Sequence, residues 1–232
     1  MQSPDTQRTH GERPRWSVGH ERARGPARLE AFSDAVIAIM LTVLSLQLLE
    51  IDVAAIGRAG LARALLDHWP AFLAFLLSFL VVGQIWVTHH NMWRYVACVD
   101  QGLLVLNLLL LLTITLLPFC ARLLAESLKP DAHAYQKLAV VLYAANAFAM
   151  AIIFNFSLWW AKRRELFHEE MDPSLYLAIR RRFLLGPAIY LFALATAAFL
   201  PWVSIGSYLA VVALYIWPGA GDLPIDALTD DV

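Results

Sequence analysis

Charge is scarce in this sequence. Asp, Glu, Lys and Arg together make up 16% of its 232 residues, against roughly 25% in an average soluble domain. With 59% hydrophobic residues and a mean hydropathy of +0.59, the chain reads as an all-α, polytopic membrane protein, not a soluble globule. The net charge of -1 says nothing about nucleic acid, because the charges are segregated by segment; for a membrane protein of this kind no nucleic-acid partner is expected. Cysteine is nearly absent too. Cys98 and Cys120 fall near opposite membrane faces, which argues against a disulfide framework. No HExxH or CxxC motif, nucleophile elbow, phosphate-binding glycine loop or pair of catalytic carboxylates is present. An enzyme with a bound cofactor is therefore not expected. The first 27 residues hold five arginines (Arg8, Arg13, Arg15, Arg22 and Arg24) and no apolar core of a signal peptide. They are expected to form a disordered cytosolic tail.

What remains is a series of long apolar runs. A span needs about 20 mostly apolar residues. Six candidates follow in order: Leu29 to Leu49, Trp69 to Trp93, Gly102 to Leu124, Tyr135 to Trp160, Phe183 to Leu200, and Trp202 to Trp217. The last two are short and separated by Pro201, so their turn could fall near Ser204 to Ser207. A single re-entrant hairpin is the competing reading there. Residues 28–217 thus form a six-helix membrane domain, with 218–232 as an acidic cytosolic tail. Segment 51–68 reads as a short interfacial helix. Trp159 and Trp160 read as interfacial anchors, and Gly83 as a close helix contact. Glu165, Glu169 and Glu170, beside Lys162, Arg163 and Arg164, read as a solvated loop with ion pairs.

Basic residues set the orientation. With the N-terminus inside, thirteen lie on the inner side: Arg8, Arg13, Arg15, Arg22, Arg24, Arg28, Arg94, Lys162, Arg163, Arg164, Arg180, Arg181 and Arg182. Five lie outside: Arg58, Arg63, Arg122, Lys129 and Lys137. Both termini are therefore expected in the cytosol, with the protein in a bacterial inner membrane.

Ionisable groups within a span usually face protein or water and mark function. Asp34 lies about 9 Å along the axis from Arg28. Ser33, Asp34, His89, His90, Asn91 and Asn107 fall in one layer near the inner face, within reach of Arg28 by snorkelling. Three readings compete for that layer. It is an interhelical hydrogen-bonded clasp, a proton or gating switch built on His89 or His90, or a metal or haem site. Against the last, two adjacent histidines project about 100° apart on a helix and do not chelate as an i, i+4 pair would. No metal is expected.

The first helix has a second distinct face. With Ala35 at 0°, Ile39 falls at about 40°, Thr42 at about 340° and Leu46 at about 20°. These four make one narrow stripe, with Asp34 about 100° to its side and Ser33 almost opposite. The stripe is either a helix-packing surface or the wall of a pore.

Arg28-x-x-x-Phe32-Ser33-Asp34 resembles the RxxxFSD signature of the TMEM175 family of potassium-permeable channels. The likeness continues in Trp86-Val87-Thr88-His89-His90, and again from Leu106-Asn107 to Leu117-Pro118-Phe119. The resemblance implies a six-helix protomer, a homotetramer in the lipid bilayer, and a central pore lined by the first helix. It places the constricting residues at Ile39, Thr42 and Leu46, within the stripe that also holds Ala35. It assigns Arg28, Phe32, Ser33, Asp34, Trp86, His89, His90 and Asn107 to packing around the pore helix. No TVGYG-like filter is present, so selectivity for potassium ions over sodium is expected to be modest and to arise at a hydrophobic gate. Proton conduction through His89 or His90 is the alternative within transport. A histidine-ligated membrane enzyme or a non-conducting scaffold is the alternative outside it.

Overall fold

The computed structural model describes residues 16–50, 60–129, 133–168 and 173–216. These are helical throughout apart from connecting turns and one isolated antiparallel bridge, Val96 to Phe167. The helices are α1 (Trp16–Leu46), α2 (Leu61–Asp67), α3 (Trp69–Trp93), α4 (Gln101–Ser127), α5 (His133–Arg163), α6 (Pro173–Ala197) and α7 (Pro201–Ile216), with a 3₁₀ turn at Gln47–Glu50 after α1. Among the described residues, four helical stretches are long and apolar enough to cross a membrane: Gly25–Leu49, Trp69–Trp93, Gln101–Ser127 and Tyr135–Arg163.

Chain neighbours from α3 to α7 pack on one another, and α7 returns against α3. α1 lies outside this ring and packs mainly across α3 and α4. That position leaves much of α1 uncovered by its own chain. Just past its C-terminal end, Gln47 Nε2 donates to the Pro118 carbonyl of α4 at 2.6 Å.

Several boundaries differ from the hydropathy reading. Residues 16–27 are helical, not a disordered tail, and α1 carries Pro26 within it. Their arginines, alanines and glutamate are good helix formers that continue a helix beyond its apolar part. Residues 1–15, 51–59 and 217–232 lie outside the described residues, as do the expected acidic tail and most of the segment before α2. Helix α6 begins at Pro173, ten residues before the expected Phe183, and includes Arg180 and Arg181. The turn before α7 falls at residues 198–200, where Leu200 N–H donates to the Thr196 carbonyl at 2.7 Å. Pro201 then opens α7, where its missing N–H is harmless. Ser204 and Ser207 are buried within α7 and do not form a turn.

Two tight spots join the start of α4 to the end of α5. Asp100 caps α4 by accepting from Leu103 N–H at 2.8 Å. It also accepts from Trp160 Nε1 at 3.1 Å and Arg164 Nε at 3.2 Å. Trp160 thus ties its helix to the start of α4, and Arg164 pairs with Asp100; Glu169 and Glu170 lie outside the described residues. Gly102 is required here, because a Cβ would lie 2.5 Å from the Trp160 ring. Gly83, by contrast, is not a close contact within the chain: a Cβ there meets nothing within 4 Å.

Proline interrupts α6 at Pro187. A proline there has no N–H to give the carbonyl four residues back. Asn155 of α5 supplies the missing donor: its Nδ2 reaches Phe183 O at 3.1 Å and its own helix at Ala151 O at 2.9 Å. In hydrocarbon such side-chain repair is what makes a helix break tolerable.

Candidate functional site

Helix α1 has two opposed faces. Ser33, Ile37 and Leu44 are completely buried. On the same wheel they fall at about 160°, 200° and 180°, directly opposite Ala35. The stripe of Ala35, Ile39, Thr42 and Leu46 is exposed, with Ile39 and Leu46 each 55% accessible. Thr42 spends its hydroxyl proton on the Ile39 carbonyl at 2.6 Å. Its oxygen lone pairs are therefore what the stripe presents outward.

The buried face is held by a polar clasp. Asn107 Nδ2 of α4 donates to Ser33 Oγ at 2.9 Å, and Ser33 Oγ donates to the Leu29 carbonyl at 2.8 Å. On its other side Asn107 Oδ1 lies 2.9 Å from His89 Nε2 of α3. Trp93 Nε1 donates to the same His89 nitrogen at 2.7 Å. Ser33 and His89 are 0% accessible, and Asn107 and Trp93 3%. An indole N–H can only donate, so Nε2 receives it through its lone pair, and a neutral ring then carries its proton on Nδ1. With that tautomer Nε2 receives Trp93 and has no proton for Asn107 Oδ1; with the proton on Nε2 it gives to Asn107 Oδ1 in place of receiving Trp93. Nδ1 itself is buried with no hydrogen-bond partner among the described residues.

A second set of contacts flanks the clasp. Trp86 Nε1 donates to Asp34 Oδ1 at 3.0 Å. His90 Nδ1 lies 3.1 Å from Glu30 Oε1. The Trp86 and His90 rings stack with centroids 6.0 Å apart. The single layer read from the sequence is thus two sets of contacts. One is fully buried around Ser33, His89 and Asn107, and one is half-exposed around Asp34, Trp86 and His90. Arg28 and Phe32 are exposed and take part in neither set. Residues 28–118 match the family model described as the endosomal/lysosomal potassium channel TMEM175. A potassium channel of Streptomyces collinus is 42% identical over 166 residues, covering 70% of this chain and 78% of that one.

The chain belongs to the TMEM175 family.

The fold agrees. The crystal structure of a lysosomal potassium-selective channel TMEM175 homolog from Chamaesiphon minutus superposes with a TM-score of 0.69 at 34% identity, covering 82% of this chain and 96% of that one. The endosomal/lysosomal proton channel TMEM175 of Gallus gallus is 32% identical over 190 residues, which is 78% of this chain and 35% of that protein. This TMEM175-family chain is accordingly an integral membrane protein of an ion-channel family and not an enzyme. Two participants escaped the sequence reading. Trp93 had a usable signal, since it stands four residues after His89 on one helix face. Glu30 had one also, four residues before Asp34.

Proposed function

We propose that this chain is the protomer of a homotetrameric, potassium-permeable channel of the bacterial cytoplasmic membrane, with six spans per protomer and both termini cytosolic. Helix α1 of each protomer lines the pore, and Ile39 forms its constriction. The observation that carries this reading is the division of α1. Its Ser33 face is pinned to α3 and α4, while the Ile39 stripe is left open by the chain's own helices. Four copies of Ile39 around an axis would make an apolar ring that passes an ion only as it sheds or deforms its hydration shell. Potassium holds its shell less tightly than sodium, so it passes at lower cost. Thr42, one turn outward, offers four lone-pair-bearing oxygens in partial replacement of the lost water.

The test is cation flux from liposomes holding the purified protein, under a potassium gradient and then a sodium gradient at fixed pH. Potassium flux should exceed sodium flux. Ile39→Ala should raise both and narrow the ratio. Unchanged flux from a well-folded Ile39→Ala protein would refute the placement of the constriction.

A proton pathway is the second reading. It is favoured by the animal relatives named as proton channels and by the buried His89 beside α1. Flux that follows the proton gradient and ignores potassium would support it.

A further inference from the structure

We infer that Glu30, Asp34 and His90 form a binding site for one divalent transition-metal ion of the zinc class, pinning the inner part of α1 to α3. Glu30 and Asp34 stand one turn apart on α1, and Trp86 and His90 stand one turn apart on α3. The two pairs face each other. One ligand atom from each of Glu30, Asp34 and His90 lies within 4.8 Å of the others, and the Glu30 to His90 separation is already 3.1 Å. Zinc bonds of about 2.0–2.2 Å in a tetrahedral site set neighbouring donors about 3.3 Å apart. One pair has that spacing, and small side-chain rotations bring in the third.

The donor set selects the ion. Two carboxylates and an imidazole fit zinc-class ions, whereas magnesium and calcium prefer oxygen alone. Three protein ligands leave a fourth position for water. The ligands are also oriented by their surroundings, as metal ligands characteristically are. The Trp86 indole holds Asp34 Oδ1 at 3.0 Å, and its ring stacks on His90 at an interplanar angle of 23°. Carboxylates one helical turn apart repel each other. Lys129 and Arg164 pair with Glu126 and Asp100, away from this site. A bound cation would remove that repulsion. The His90 and Glu30 side chains are 46% and 27% accessible, so an ion can enter from water. The adjacent His89 takes no part, because its ring is committed to the clasp.

The experiment uses the full-length, tag-free protein in detergent, stripped of metal by a chelator and titrated with Zn²⁺ in a calorimeter. One Zn²⁺ should bind per chain, with a rise in Tm. Glu30→Gln and His90→Gln should each weaken binding by about tenfold or more and remove the rise, while leaving the metal-free Tm near that of the parent. Co²⁺ should give the visible absorption of a four-coordinate site in the parent and lose it in both variants. No binding up to ~1 mM, a threshold of about -4 kcal/mol, would overturn the inference. So would affinity unchanged in both variants. Binding is read without flux, so a protein that binds Zn²⁺ and passes no potassium would refute the channel reading and leave this one standing.

Discussion

Asn107 of α4 donates to Ser33 of α1 across 2.9 Å, on the side of α1 turned away from Ile39. The contact ties the orientation of the exposed stripe to a polar group that no lipid or water can replace. Rotating α1 to hide Ile39 would pull Ser33 away from its donor.

Replacing Asn107 with Leu should therefore destabilise the protein more than replacing Ser33 with Ala. Asn107→Leu leaves both the Ser33 side and the His89 side without their partner. The expected loss is about 1–3 kcal/mol. Ser33→Ala removes one bond, and Asn107 retains His89. Thermal unfolding in detergent, read by tryptophan fluorescence, orders the two. Equal melting of both variants and parent would count against the clasp.

Gly102→Ala places a methyl 2.5 Å from the Trp160 ring. The ring must move, and its bond to Asp100 goes with it. Overpacking of this kind typically costs about 1–3 kcal/mol. Trp160→Phe in the same chain should recover part of the packing loss and none of the hydrogen bond. The Tm of the single and double variants measures both.

Asp100 gives the start of α4 a predictable acid response. Partial burial alone would raise its carboxyl pKa. The Leu103 N–H, the Trp160 indole and the Arg164 guanidinium outweigh burial and hold it below the ordinary aspartate value. The folded-state pKa is therefore the lower one. The stabilisation is present above the ordinary aspartate pKa of about 4, and it is lost as pH falls through the folded value. A comparison of Tm between pH 7 and pH 3 should show a smaller acid-induced drop in Asp100→Asn than in the parent.

The apolar runs announced the long helices, because bilayer thickness imposes a length that sequence displays directly. The Ile39 stripe was legible for a similar reason: a fixed 100° step converts spacing into direction. Residues 16–27 and 173–182 were not legible as helix, since hydropathy reports the part of a helix that lies in lipid and is blind to a polar continuation. The contact of His90 with Glu30 depends on how far α1 is rotated against α3, which no single-helix pattern contains. Asp100 is a similar case. Its cap on α4 is a local signal, but its ties to Trp160 and Arg164 bridge 60 or more residues of chain.

Asn155 and Pro187 should behave unequally in a double-mutant cycle. Asn155→Leu removes the side-chain donor to the Phe183 carbonyl and should cost about 1–3 kcal/mol in the parent. With Pro187→Ala already present, the restored backbone N–H serves Phe183, and the same Asn155→Leu change should cost measurably less. Equal penalties in the two backgrounds, read as shifts in Tm, would mean that Asn155 does not compensate for the proline.

That asymmetry gives the pair a direction in time. Asn155 also bonds within its own helix, at Ala151, so an ancestor could have acquired it without any proline across the way. A proline acquired before the asparagine would have given up a backbone hydrogen bond without that side-chain replacement. Asparagine first is therefore the less costly order, and the break in α6 is more readily entered, and left, by single substitutions in that sequence.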